Sequence, residues 1–239
     1  MKKWWIFVML IVWLSSVPLQ AGLLEQAQEI ISPQKQGSLD DSTIISGLKE
    51  ALSIATDKAV ASVSQLNGYF GNEMIKILMP EELANMSAVL SKVGFKDKVD
   101  EFILSMNRAA ERSAPKAKQY FIEAVQDMTF KDAEKILQGG DTAATTYFKG
   151  KTYDKLYAAF KPDISASMNE VGVTRLYKEM MNKYANVPFA NPQSVDLDHY
   201  VTQKSLDGLF YVIAQEEKKI RTDPAARGTE LLQKVFGSK

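Results

Sequence analysis

Apolar residues recur at steps of three and four along most of this 239-residue chain, while the strict alternation of half-buried strands is scarce and short. Such a pattern predicts an all-α fold, because spacings near 3.6 put apolar side chains on one face of a helix. Ile44, Leu48, Leu52, Ala55, Ala59 and Val63 form the first such face, with Asp40, Asp41 or Ser42 available to cap it. No internal repeat is visible, so stacked helical repeats are not expected. We therefore expect a single multi-helix, bundle-like domain, with one irregular loop or short hairpin near residues 67–79, around Gly68, Tyr69, Phe70 and Gly71.

Punctuation between the helices follows from glycine, proline and capping residues. Gly94 suits a left-handed stop, the helical periodicity breaks at Gly172, and Gly139-Gly140 ends a short helix that Thr129 and Asp132 open as a capping box. Ser113 is read as the cap of a new helix with Pro115 in its first turn, so a bend is expected there. Asp141 is read as a cap, Gly150 as a divide between two helices, and Pro162 as an end or kink. Asn186, Pro188 and Pro192 impose a loop, Asp196 caps the long segment 197–221, and Asp223-Pro224 caps a terminal helix closing at Gly237.

The chain contains no cysteine. That removes disulfides, thiolate metal sites, cysteine nucleophiles and thiol redox chemistry together, and leaves the fold to its core. Lys2 and Lys3, an apolar run from Trp4 to Leu14 and the small residue Ala21 have the layout of a secretory signal peptide over residues 1–21. The run is about half of the roughly 20 residues that cross a bilayer, so cleavage after Ala21 is expected, with an uncleaved anchor as the alternative. Gly22 stands where a lipoprotein would need cysteine. The expected location is the periplasm, with no membrane span after cleavage. Residues 22–38, a short helix and the polar segment Ser32–Ser38, read as a linker to a helical domain over residues 39–237. Cleavage takes two lysines from the 29 basic residues and none of the 29 acidic ones, a net charge of about −2. Without a basic excess, generic nucleic-acid binding is not expected.

Several motifs in order resemble the bacterial family known as domain of unknown function 4197. They are Gly47-Leu-Lys-Glu-Ala-Leu52, Met106-Asn-Arg-Ala-Ala-Glu111 with Ala114-Pro115, Gly139-Gly-Asp-Thr-Ala-Ala-Thr145, Val171-Gly-Val-Thr-Arg175, Asp207-Gly-Leu-Phe-Tyr211, and Glu216-Glu-Lys-Lys-Ile-Arg221 leading to Asp223-Pro-Ala-Ala-Arg227. The resemblance implies an exported helical protein and brings no catalytic residues with it.

Candidate sites are few. Asn107 and Glu111, and Arg108 and Arg112, are four residues apart and make two polar rows beside small alanines; a guanidinium there is suited to a carboxylate or phosphate. A helix crossing with buried hydrogen bonds is the plainer reading. Gly139 to Thr145 offers backbone N–H groups at a helix start, with Asp141 as its cap and an anion site as the bolder reading. Tyr153 belongs to an aromatic stripe that lines either a core or an apolar ligand cavity. His199 is the only histidine, and Asp196 three residues before it serves better as a helix cap than as a metal ligand. No metal or cofactor is expected. These residues suggest a noncatalytic module for a small ligand or an envelope protein. The alternatives are a carboxylate-dependent hydrolase or lyase using Glu111 and Asp141, or a purely structural or assembly role in the envelope.

Overall fold

The Asp40 carboxylate accepts the Thr43 N–H at 2.6 Å and opens the first helix of the computed structural model, which describes residues 40–237. The expected signal peptide and linker lie outside the described residues. In chain order the helices are α1 (Asp41–Val63), α2 (Ala84–Leu90), α3 (Lys96–Gln126), α4 (Phe130–Gln138), α5 (Ala143–Glu170), α6 (Val173–Ala185), α7 (Leu197–Thr222) and α8 (Glu230–Phe236). No strand occurs among the described residues, and the domain is an all-α bundle. Among them, too, no helix is long and apolar enough to cross a membrane.

The four long helices close a ring: α1 packs on α3, α3 on α5, α5 on α7 and α7 back on α1. Each thereby buries an apolar stripe against two neighbours, the arrangement that makes a four-helix core self-sufficient. Leu48, Leu52, Phe102, Met106, Phe160, Ile164, Leu206 and Leu209 fill the ring and are almost wholly excluded from solvent. The short helices cover it. α2 and α6 pack over α3, and α4 and α8 lie against α1. Gly47 lets α8 approach α1, since a Cβ there would come within 2.5 Å of the Val235 side chain.

Several local expectations hold. Gly94 (φ 90°) and Gly172 (φ 84°) adopt the left-handed conformation between helices, Thr129 and Asp132 form the capping box of α4, and the Asp196 carboxylate accepts the His199 N–H at 2.9 Å. Others need correction. Pro115 lies inside α3 and Pro162 inside α5, without ending either helix. Both rings face solvent, where water can take the carbonyl that proline leaves unpaired. Ser113 caps nothing; it is buried and its hydroxyl bonds Ser167 Oγ at 2.7 Å, tying α3 to α5. Gly150 is likewise interior to α5. Asp223 caps only the short turn Pro224–Ala226, and Thr229 caps α8.

Residues 67–79 are not a hairpin. They form an irregular strap, a succession of turns followed by extended chain, that drives Tyr69, Ile75 and Ile77 into the core.

Candidate functional site

A strap without ladder or helix must find partners for its buried backbone elsewhere. α3 supplies them. Asn107, fully buried, accepts the Ile77 N–H at 2.9 Å and donates to the Ile77 carbonyl at 2.8 Å, matching both backbone groups of one residue. One turn on, Glu111 accepts the N–H groups of Tyr69 (3.1 Å) and Phe70 (3.2 Å) on one oxygen. Its other oxygen takes Arg108 at 2.5 Å, and Arg108 reaches on to the Asn67 side chain at 2.8 Å. Asn67 itself has φ 66°, the left-handed region that asparagine tolerates better than most residues. From α7, the Ser205 carbonyl accepts the Tyr69 hydroxyl at 2.7 Å. Gly208 makes room below, since a Cβ there would sit 2.8 Å from the Tyr69 ring. Three of the four predicted residues on α3 are therefore engaged by the strap.

The second predicted motif is explained the same way. Glu217 on α7 is almost completely buried, and its carboxylate accepts the N–H groups of Ala144 (2.9 Å) and Thr145 (2.7 Å) and the Thr145 hydroxyl (2.6 Å). The open anion site foreseen at the start of α5 is thus filled by the chain's own carboxylate, where it also meets the positive end of the helix dipole. Arg221 balances it at 2.7 Å and extends to the Ile136 carbonyl at 3.1 Å. Asp141 is not the cap that its position suggested. It is exposed and faces Lys218 at 3.7 Å. The two buried acids, Glu111 and Glu217, thus share one device: each clamps two consecutive N–H groups of a distant segment and is neutralised by an arginine within one turn.

Tyr153 stacks on Phe210, with ring centroids 6.0 Å apart, beneath Lys149, which pairs with Asp207 at 2.7 Å. Burial, with the Asp207 charge second, pushes its phenol up to about 12. The hydroxyl is buried without a hydrogen-bond partner. His199 is exposed and its Nδ1 meets the Tyr157 hydroxyl at 2.7 Å. Among the described residues no cluster of three or more histidine or acidic side chains could hold a metal ion.

What α3 leaves open lies on the solvent side of its arginines. A cleft of about 470 Å³ runs between the end of α1, α3 and the α5–α6 junction, floored by Leu104, Val171 and Leu176 and rimmed by Arg108, Arg112 and the exposed Leu66, with the carboxylates of Glu101 and Glu111 also in its lining. Arg112 pairs with Glu170 at 2.6 Å, both more than half exposed. A pair so wet is worth at most about 1 kcal/mol, so an incoming anion can take the place of Glu170 at little cost. The apolar floor was missed from sequence. Leu104, Arg108 and Arg112 at successive steps of four were the signal available.

Fold and cleft together define a class: a helical bundle carrying an open, arginine-rimmed cleft on its side. Within that class, the chain belongs to the family described as "Protein of unknown function (DUF4197)", whose model matches residues 38–237. No curated protein and no solved structure matches it.

Proposed function

We propose that the protein is a noncatalytic binding module of the bacterial envelope, exported by its N-terminal segment, whose cleft takes a small molecule joining an apolar body to a carboxylate or phosphate. The observation that carries this reading is the pairing, in one cleft, of an apolar floor at Leu104, Val171 and Leu176 with the exposed Arg112 guanidinium, the two acids of the lining, Glu101 and Glu111, being paired already with Lys98 and Arg108. Guanidinium binds such anions through two parallel hydrogen bonds, while the floor supplies non-directional affinity for the tail. Arg108 is committed to Glu111 and Asn67 and contributes field more than contact. The hydrolase alternative draws little support, since both oxygens of Glu111 are engaged by the strap and Arg108, and Asp141 pairs with Lys218 and does not line the cleft. Export is supported by Lys2, Lys3 and the apolar run ending at Leu14.

The test is calorimetric titration of the protein released from the periplasm with decanoate and with decyl phosphate, alongside native mass spectrometry of the same preparation. Decanoate or decyl phosphate should bind, and Arg112→Ala should weaken uptake about tenfold, the scale of one charge-assisted contact, while lowering stability by less than about 1 kcal/mol. A bare polypeptide mass together with silence towards both amphiphiles overturns the proposal.

A further inference from the structure

The cations of α3 are not bare. Arg108, Arg112 and Lys116 follow one another at steps of four along one face of the helix, and each meets a carboxylate of its own chain, Glu111, Glu170 and Asp163 in that order. The three pairs differ in how far they are shut in. Glu111 is buried and holds two strap N–H groups besides Arg108. Asp163 faces Lys116 at 2.8 Å with its side chain 21% exposed. Glu170 is 53% and Arg112 59% exposed, and a single contact joins them, Arg112 Nη2 to Glu170 Oε2 at 2.6 Å. Among the described residues the Glu170 carboxylate bonds nothing else.

The middle pair is therefore the one that a ligand can open, and Glu170 is a competitor that travels with the site. Being tethered, it returns to Arg112 from an effective concentration on the order of millimolar, which a dissolved anion has to overcome. A carboxylate that displaces it exchanges one monoanion for another and gains no Coulomb energy. A phosphate monoester carries close to two negative charges at neutral pH and has three acceptor oxygens. Its doubled charge strengthens the attraction to Arg112 and to the field of Arg108 alike, while two of its oxygens still match the guanidinium fork.

We propose that Glu170 makes the cleft selective for dianionic phosphate monoesters, holding off carboxylates and phosphodiesters of the same chain length by competing with them for Arg112. This rests on the reading of the cleft as a binding site and narrows the class of ligand it takes.

Calorimetric titration of the periplasmic protein with decyl phosphate, methyl decyl phosphate and decanoate, at about pH 8 where the monoester is doubly ionised, tests it. The methyl diester keeps the tetrahedral phosphate and loses one charge. Decyl phosphate should bind at least about tenfold tighter than either monoanion, the weight of one further charge-assisted contact. Glu170→Gln keeps the shape of the side chain and removes its charge, and should tighten the diester and decanoate by about two- to fivefold, the weight of an exposed ion pair. Pelleting with vesicles of phosphatidylcholine and phosphatidic acid identifies a membrane headgroup as the carrier of the phosphate; uptake of dissolved decyl phosphate without pelleting identifies a free amphiphile, and either result agrees with the charge rule. A diester or decanoate as tight as decyl phosphate, or monoanions that bind Glu170→Gln no better than the parent, overturns the selectivity and leaves the cleft a binding site. Silence towards all three ends both readings.

Discussion

At the scale of single residues, most of the polar investment in the core goes into two carboxylates. Glu217 is shut off from solvent with three donors from the start of α5 and one from Arg221, whose side chain is itself only 7% exposed. Deleting one partner of such a pair strands the other charge in a poor dielectric, so Glu217→Ala should lose about 3–5 kcal/mol in urea denaturation. Glu217→Gln keeps the shape but turns an N–H donor towards backbone donors, and should lose about 1.5–3 kcal/mol, the range for hydrogen bonds to a charged group. Arg112→Ala, whose pair is half in water, should cost under about 1 kcal/mol. If Glu217→Ala proved as mild as Arg112→Ala, the clamp on α5 would be ornamental. None of this was visible from Glu216-Glu-Lys-Lys-Ile-Arg221 alone, where Glu217 and Arg221 at a spacing of four look like a solvated surface pair. The distant partners of Glu217 lie 72 and 73 residues away, and that of Arg221, the Ile136 carbonyl, 85.

At the scale of elements, helix existence was legible because packed stripes follow the helical period, and so were the stops at Gly94 and Gly172, which local backbone conformation decides. Illegible were the places where tertiary packing carried a helix through a residue that usually ends one. α5 is the clearest case, running unbroken through Gly150 and Pro162 because α3 and α7 flank it along its length. The strap was legible only as irregular chain: its order comes from Asn107, Glu111 and Ser205, and no short-range signal could reveal them. The polar row on α3 was legible as a place of buried hydrogen bonds, but its partner is the strap and not a crossing helix. The continuity of α5 has a direct consequence. Gly150 is exposed in mid-helix and a Cβ there meets nothing within 4 Å, so Gly150→Ala should stabilise the protein by about 0.5–1 kcal/mol. Thermal melts would decide the matter, and a loss of stability would mean that the helix is broken at that point.

At the scale of the whole molecule, the ring of α1, α3, α5 and α7 gives each long helix two neighbours, and the clamps at Glu111 and Glu217 tie the strap and the start of α5 across it. No part of the ring can leave without exposing its neighbours, which argues for one cooperative transition. Tyrosines report on this from separate places. Tyr69 is sealed under the strap, where burial and then the Glu111 charge push its phenol well above the ordinary range; Tyr147 on α5 is pushed up to about 12 by burial and then by its hydrogen bond with Asp132, and Tyr153 to about 12. A raised phenol favours the folded state fully below the unfolded value near 10, and that advantage is lost as pH climbs from there through 12, because the unfolded chain ionises first. In an absorbance titration of the phenolate band, Tyr69, Tyr147 and Tyr153 should ionise above about pH 10 in a single step that coincides with the collapse of the far-ultraviolet helix signal. Tyr153→Phe should move that step upward, since it removes one of the protons the unfolded chain gives up. Should the helix signal fall in two stages, with part of the tyrosine change confined to the first, the ring would be divisible, and the long-range clamps would hold local structure only.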